Sequence, residues 1–325
     1  MTGVHTVRPT DLVALVAYDG RVFPNHAVTR DRIGTQASPH PLETAIEQWF
    51  SFATGRHTWI SVKGATLRGL VAARKRGSKA AWEVDCLIDA AEDDPGILMG
   101  LLEQVAVDAA SAGAEKVFLR IAADGDLVDT VCSAGFSVYL REHLLARDGT
   151  SASAAGVQNG STALDASAGL RRWSRADAYP TFRLYNRWTP EPVRRVEAPT
   201  FREWLAARER ASPPRGTRQW VVDGAGGLTG WVRTAGAGDV GRFELMADPS
   251  RPDVLDLLVD ATLARLGRES SIYSLVPEFS AALRERLERR GFTEHDEYVV
   301  LALRTARAVR LPELAPAVPA QTLLA

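Results

Sequence analysis

The sequence has little cysteine, almost no net charge and no long hydrophobic run. Its 325 residues include two cysteines, Cys86 and Cys132, which lie in apolar stretches and are too few for a disulfide framework. The 39 basic and 40 acidic residues leave a formal charge of −1, which excludes a basic field for nucleic acid or an anionic membrane. The chain begins without an apolar signal segment and has no run long enough to span a bilayer. These absences predict a cytoplasmic protein that binds neither nucleic acid nor membrane.

The near-neutral total conceals two halves of opposite sign. Residues 1–150 hold 15 basic and 19 acidic side chains, and residues 151–325 hold 24 and 21. Only four basic residues are lysines, which we interpret as a compositional bias rather than a phosphate-binding code. With 46% apolar residues there is material for ordinary cores, and this length is typical of about two domains of roughly 150 residues.

The two halves match each other along most of their length. Downstream pairs lie 156 residues apart, and upstream pairs need small insertions. The matched pairs are Trp59 with Trp220, Gly69 with Gly230, Asp85 with Glu244, Leu119 with Leu275, and Gly135-Phe136 with Gly291-Phe292. A duplicated domain explains this agreement. We expect the two copies to pack on each other.

A Gly/Ser/Ala/Thr-rich segment separates the copies and predicts a flexible linker. We therefore expect a first copy over residues 1–148, a linker over 149–168 and a second copy over 169–311. The Pro/Ala-rich residues 312–325 are expected to form a disordered tail.

Each copy shows the same order of periodic segments. Two helices, one of them near Pro41–Ala53 in the first copy, precede a hairpin and a third strand. An amphipathic helix follows, opened by Pro95 in the first copy and starting near Asp253 in the second. A short strand, a helix that ends at Gly135 or Gly291 and a final pair of strands complete the copy. This order predicts an α/β fold in which each copy is a mixed sheet flanked by helices.

This order, with its two helix-Gly-Phe-strand passages, resembles the GCN5-related N-acetyltransferase (GNAT) family. The tandem arrangement is similar to that of the double-domain members, of which mycothiol synthase is one. The resemblance implies an acetyl-CoA-dependent N-acyltransferase that acts on a small-molecule amine by direct transfer. We expect no metal site, because the six histidines show no metal-ligand spacing.

The resemblance implies two places for coenzyme A in each copy. The first is the splay between the fourth and fifth strands, where the main chain of Leu87 and Ile88, or of Met246 and Ala247, would hold the cofactor. The second is the helix-opening loop that cradles the pyrophosphate. Here the family's Arg/Gln-x-x-Gly-x-Gly/Ala is only partly kept: the first copy offers Gly96 and Ile97 but has Asp93 and Leu98, and the second offers Arg251 without any glycine.

The resemblance also implies a general base on the fourth strand, for which the candidates are Glu83, Asp85 and Glu244. Strand alternation predicts that Glu83, Asp85 and Leu87 share one face. The family's tyrosine acid is replaced by Val131 and Leu287, and its asparagine by Asp124 and Ser280. A further candidate for the acceptor site is the segment Phe182–Arg195.

Two interpretations stay open at this point. The protein is either an N-acyltransferase in which one copy still binds coenzyme A, or an inactive tandem protein that serves as a scaffold or small-ligand-binding module. An open wedge between the two central strands favours the enzyme. A wedge plugged by side chains such as Phe118 or Tyr273 favours the scaffold.

The glycine run Gly236–Gly241 matches G-x-G-x-x-G by letter. We expect it to be a hairpin loop, because a strand rather than a helix follows it.

Overall fold

A computed structural model describes residues 4–11, 14, 24–34, 55–64, 66–77, 80–91, 94–148, 169–208, 216–237, 239–267 and 269–305. The predicted helix near Pro41–Ala53 lies outside the described residues, as do Asp93, the predicted linker and the predicted tail.

The described part of the chain contains twelve strands and seven α-helices. The strands are β1 (Val4–Thr6), β2 (Arg56–Lys63), β3 (Thr66–Lys75), β4 (Ala81–Asp89), β5 (Lys116–Ala122), β6 (Ser137–Asp148), β7 (Leu170–Arg172), β8 (Arg218–Gly224), β9 (Gly227–Ala237), β10 (Val240–Ala247), β11 (Ser271–Pro277) and β12 (Thr293–Arg304). The helices are α1 (Pro95–Ser111), α2 (Leu127–Ser133), α3 (Ala178–Trp188), α4 (Glu191–Glu197), α5 (Phe201–Arg208), α6 (Pro252–Leu266) and α7 (Ala281–Glu288).

All twelve strands form one mixed sheet in the order β1-β2-β3-β4-β5-β12-β6-β11-β10-β9-β8-β7. Only β4 with β5 and β10 with β11 run parallel. The prediction of a final strand pair in each copy is wrong, because each copy ends in one 12-residue strand. These two strands are exchanged: β12 pairs with β5 of the first copy, and β6 pairs with β11 of the second.

Glycines at matched positions show that the two copies are built alike. An added Cβ at Gly69 would lie 2.9 Å from a side chain of α1, and at Gly230 it would lie 2.8 Å from one of α6. Each glycine therefore lets its helix pack closely on the sheet. Gly135-Phe136 and Gly291-Phe292 also behave alike, with glycine φ angles of 91° and 84° and a buried phenylalanine beside each. The left-handed glycine ends the helix and directs the chain back to the sheet.

One register difference separates the copies. Ala72 pairs with Cys86 and Ala73 with Val84, so Asp85 is an extra residue in β4, a β-bulge. The pairing of β10 with β9 has no such break. Just after β4 in the first copy and β10 in the second, one main-chain hydrogen bond returns to the preceding strand, from Ala90 N–H to Arg68 C=O and from Asp248 N–H to Thr229 C=O. Ala90 and Asp248 are therefore equivalent, and so are Cys86 and Glu244, which lie four residues before them. The predicted match of Asp85 with Glu244 is therefore wrong.

The bulge also changes which side chains share a face. Val84 and Leu87 both lie in the core beneath α1, so Leu87 does not share a face with Glu83, contrary to the expectation from simple alternation. The match of Leu119 with Leu275 is also out of register. Leu119 faces α1, whereas Leu275 lies on the opposite face of the sheet, against Ile33.

Candidate functional site

The wedge between β4 and β5 in the first copy is filled by the chain itself. The ladder joins only Ala81–Glu83 to Lys116–Phe118, and residues 25–28 lie between the strands beyond it. The Asn25 side chain accepts a hydrogen bond from Leu87 N–H at 2.9 Å, and His26 N–H donates to Leu87 C=O at 2.9 Å. On the other side, Val28 N–H donates to Arg120 C=O at 2.9 Å. The main-chain groups of Leu87 that a cofactor would use are therefore already bonded.

The wedge of the second copy is different. The β10–β11 ladder ends at Phe243 and Ser274, and in the described part of the chain no segment is hydrogen-bonded between these strands beyond that point. Ser280 lies just past the carboxyl end of β11 and is 4% exposed. Its hydroxyl is buried without a hydrogen-bond partner. A buried polar atom without a partner is unfavourable unless a ligand or solvent satisfies it.

A cavity of about 550 Å³, its open mouth included, lies on the face of the second copy that points away from α6. Its wall contains Arg30, Asp31, Ile33, Thr217, Arg233, Ala235, Arg242, Phe243, Glu244, Tyr273 and Leu275. Glu244 is the carboxylate on β10, held by Arg233 at 2.8 Å and by Arg30 at 3.4 Å. The segment that fills the first wedge continues here and forms one wall of the cavity.

Arg30 also reaches the centre of the sheet. Its guanidinium binds Glu142 of β6, which is fully buried and is bound on its other side by Arg120 Nε at 2.7 Å. Burial by itself would raise the pKa of Glu142, but the two guanidinium groups outweigh it and hold this pKa below its usual value. Arg30 thus links the two halves through charged hydrogen bonds.

Arg242 is a second buried guanidinium in the cavity wall. The residue is 8% exposed, and its Nε donates to Ile33 C=O. Its Nη2 atom is buried without a partner, and burial lowers the pKa of the group.

The first-copy carboxylates lie in an ion-pair network around Arg74, which is joined to the cavity wall through Asp31, 3.4 Å from Arg74. Glu83 is bound by Arg74 at 3.2 Å and by Arg76 at 3.5 Å. Asp85 is 3% exposed and lies 3.2 Å from Arg56. Burial raises the pKa of Asp85, and the neighbouring arginines oppose this shift only in part. The structure therefore does not bring Glu83 and Asp85 together with Glu244.

The helix-opening loops place the remaining cofactor candidates. Gly96 and Ile97 lie in the first turn of α1, and the Ile97 side chain is buried in the core rather than facing a ligand. Arg251 directly precedes α6, where it is exposed and bonded to Asp253 at 2.6 and 2.9 Å.

The strand candidates Leu87, Ile88, Met246 and Ala247 are all buried. Ile88 packs on the face opposite α1, Met246 packs in a cluster with α3 side chains, and Ala247 faces α6.

The candidate segment Phe182–Arg195 covers most of α3 and most of α4. The hydroxyls of Tyr185 and of Tyr139, on β6, each donate to Glu197 at 3.2 Å. Burial raises the pKa of both tyrosines, and the Glu197 carboxylate raises them further. Sequence reasoning missed Glu197, because only the packing of α4 against β6 makes it a shared acceptor.

The predicted hairpin at the glycine run is confirmed, since β9 and β10 pair antiparallel up to Ala237 and Val240. No described helix is long and apolar enough to cross a membrane. The candidate site thus consists of two neighbouring features of the second copy: the open wedge between β10 and β11, and the cavity that contains Glu244.

No protein-family model matches the chain, and no curated protein matches it. Solved structures do match over nearly its whole length. A tandem GNAT protein from the clavulanic acid biosynthesis pathway is 14% identical, covers 95% of this chain and 100% of its own, and has a TM-score of 0.52. A GCN5-related N-acetyltransferase from Sphaerobacter thermophilus is 13% identical, with coverages of 94% and 97% and a TM-score of 0.55. At these identities the likeness establishes the fold: the chain has a tandem GNAT fold.

Proposed function

We propose that this chain is an acetyl-CoA-dependent N-acyltransferase that acts on a small-molecule amine through its second copy alone. The observation that carries the proposal is the contrast between the two wedges: the first is filled by residues 25–28, whereas the second separates beside Glu244 with no segment bonded between its described strands. We also propose a cytoplasmic location, from the cysteine content of the sequence, and two domains with the boundaries given above.

The residues of the second copy fit coenzyme A, and those of the first do not. A pantetheine arm carries amide groups that bond to an unpaired strand edge, and β10 beyond Phe243 lacks a β11 partner. The orphaned Ser280 hydroxyl offers a further polar contact. Arg251 supplies a cation at the start of α6; its pair with Asp253 is exposed, and exposed pairs are weak enough to exchange for a pyrophosphate. We therefore assign cofactor contacts to Met246, Ala247, Arg251 and Ser280.

Glu244 is the proposed general base. An acetyl thioester supplies an electrophilic carbonyl, and the attacking amine nitrogen must lose a proton as the new C–N bond forms. Glu244 lies in the cavity wall next to the wedge and accepts that proton directly or through water, while Arg233 and Arg30 fix its orientation. The departing thiolate needs little help, because a thiol has an ordinary pKa near 8.5. This accords with Val131 and Leu287, which are buried apolar side chains without an acid.

Acetyl transfer to a panel of small amines, followed by release of the coenzyme A thiol, tests this function. We expect Glu244→Gln to lower kcat about 100-fold or more while acetyl-CoA still binds. Asp85→Asn is the matched variant in the first copy and should leave kcat unchanged in folded protein. Loss of activity in Asp85→Asn with full activity in Glu244→Gln would contradict the assignment.

The second candidate function is a non-catalytic small-ligand-binding module. The filled first wedge and the ion-paired start of α6 favour it. Ligand binding in the Glu244 cavity without any acyl transfer, in a chain that ignores acetyl-CoA, would support this alternative.

A further inference from the structure

The cavity wall of the second copy contains three arginines and two carboxylates. Arg233 is paired with Glu244 at 2.8 Å, and Arg30 is shared between Glu142 and Glu244. Asp31 lies 3.4 Å from Arg74 of β3 and also acts electrostatically on Arg242 from beyond ion-pair distance. Among the described residues, the cavity cation left without a carboxylate within ion-pair distance is therefore Arg242.

Arg242 also has a buried guanidinium nitrogen without a hydrogen-bond partner. It is 8% exposed, its Nε is bonded to Ile33 C=O, and its Nη2 is buried with no partner. A guanidinium desolvated to this degree normally meets a carboxylate or another acceptor. Arg242 lies in the cavity wall, so an anion bound in the cavity would lie beside its guanidinium.

The neighbouring residues indicate which kind of anion fits. Glu244 and Asp31 lie in the same wall and would repel a dianion such as a phosphate monoester more strongly than a carboxylate. A carboxylate also matches the planar donor geometry of a guanidinium. The Arg242 guanidinium therefore suits a single carboxylate.

Arg242 and Glu244 lie two residues apart on β10, and no bulge interrupts the strand between them. Alternation places them on one face, about 7 Å apart along the strand. A molecule with a carboxylate near Arg242 thus extends toward Glu244, where a protonated amine finds a negative partner.

We infer that the acceptor of this protein is an amino-acid-like molecule, whose carboxylate binds Arg242 and whose amine faces Glu244. This inference rests on the proposed function for the role of the ligand as acceptor, but the binding site itself does not require coenzyme A. Arg242 is then a specificity-determining residue that selects amines bearing a carboxylate.

Binding to the full-length chain without any coenzyme A tests the inference. The probes for calorimetry or ligand-observed NMR are glycine, 4-aminobutyrate and 6-aminohexanoate, with butylamine as the amine that lacks a carboxylate. We expect at least one amino acid to bind tenfold or more tightly than butylamine. Arg242→Gln should reduce that affinity at least tenfold, and Arg284→Gln, an arginine on α7 away from the cavity, should not change it.

The comparison of probes on the unmodified chain stands even if Arg242→Gln fails to fold. The inference is overturned if butylamine binds as tightly as the best amino acid, or if folded Arg242→Gln binds amino acids like the parent. It is also overturned if no amino acid binds with a Kd below about 10 mM. Amino acid binding by a chain that ignores acetyl-CoA would sustain the amino-acid site at Arg242 and refute the proposed function together with the ligand's role as acceptor. Acetyl-CoA binding without amino acid binding would refute the amino-acid site and leave the proposed function standing.

Discussion

Two buried serines near the second wedge differ in whether the side-chain hydroxyl has a hydrogen-bond partner. The Ser274 hydroxyl donates to Phe243 C=O at 3.2 Å, whereas the Ser280 hydroxyl has no partner and makes no capping bond at the start of α7. A hydroxyl that is already bonded stabilises the fold. One that is buried and orphaned opposes folding until a ligand satisfies it.

We predict that Ser280→Ala leaves the free energy of unfolding unchanged or raises it by up to about 1 kcal/mol. The same variant should weaken acetyl-CoA binding several-fold, because the ligand loses a hydrogen bond. Ser274→Ala is the matched control and should lose about 1 kcal/mol of stability with no change in affinity. Urea unfolding and calorimetry measure both quantities, and an unchanged affinity in Ser280→Ala would remove Ser280 from the site.

At the scale of elements, residues 25–28 act as a strand-like filler of the first wedge. Asn25 is the key residue, because its side-chain oxygen accepts from Leu87 N–H at 2.9 Å and from Ala27 N–H at 3.0 Å. The segment therefore has a structural role where the second copy keeps an open edge.

We predict that Asn25→Ala lowers the free energy of unfolding by about 2 kcal/mol, since it leaves buried main-chain donors without acceptors. Acetyl-CoA affinity should stay the same, because the cofactor is assigned to the other copy. A gain in acetyl-CoA binding sites in this variant would show instead that the first wedge is a blocked cofactor site.

The elements that sequence predicts well are those set by local signals. Pro95 opens α1 and Gly135 and Gly291 end their helices as expected, because helix starts and left-handed glycines depend on neighbouring residues alone. The bulge at Asp85 was missed, since it exists only in the pairing of β4 with β3. The wedge filler was missed for the same reason: Asn25 and Leu87 lie 62 residues apart, and no periodicity marks their contact.

At the scale of the whole molecule, the exchanged last strands join the two copies into one sheet. β6 is bonded to β11 and β12, and β12 is bonded to β5. Ion pairs also join the two copies: Arg30 lies 3.4 Å from Glu244, and Arg141 lies 2.9 Å from Glu297. Separating the copies would expose strand edges and break these pairs.

We predict that cleavage within residues 149–168, through an inserted protease site, leaves the two fragments associated. They should elute as one species and unfold in a single transition, because neither fragment keeps a complete central sheet. Fragments that separate under native conditions and unfold independently would show that the copies are self-sufficient.

The central claim is that one copy has kept a cofactor wedge and the other has filled it. Calorimetric titration of the full-length chain with acetyl-CoA, and with desulfo-coenzyme A as a non-reactive analogue, tests this claim most directly. The account predicts one molecule bound per chain. Two molecules per chain, or no binding up to millimolar ligand, would contradict it.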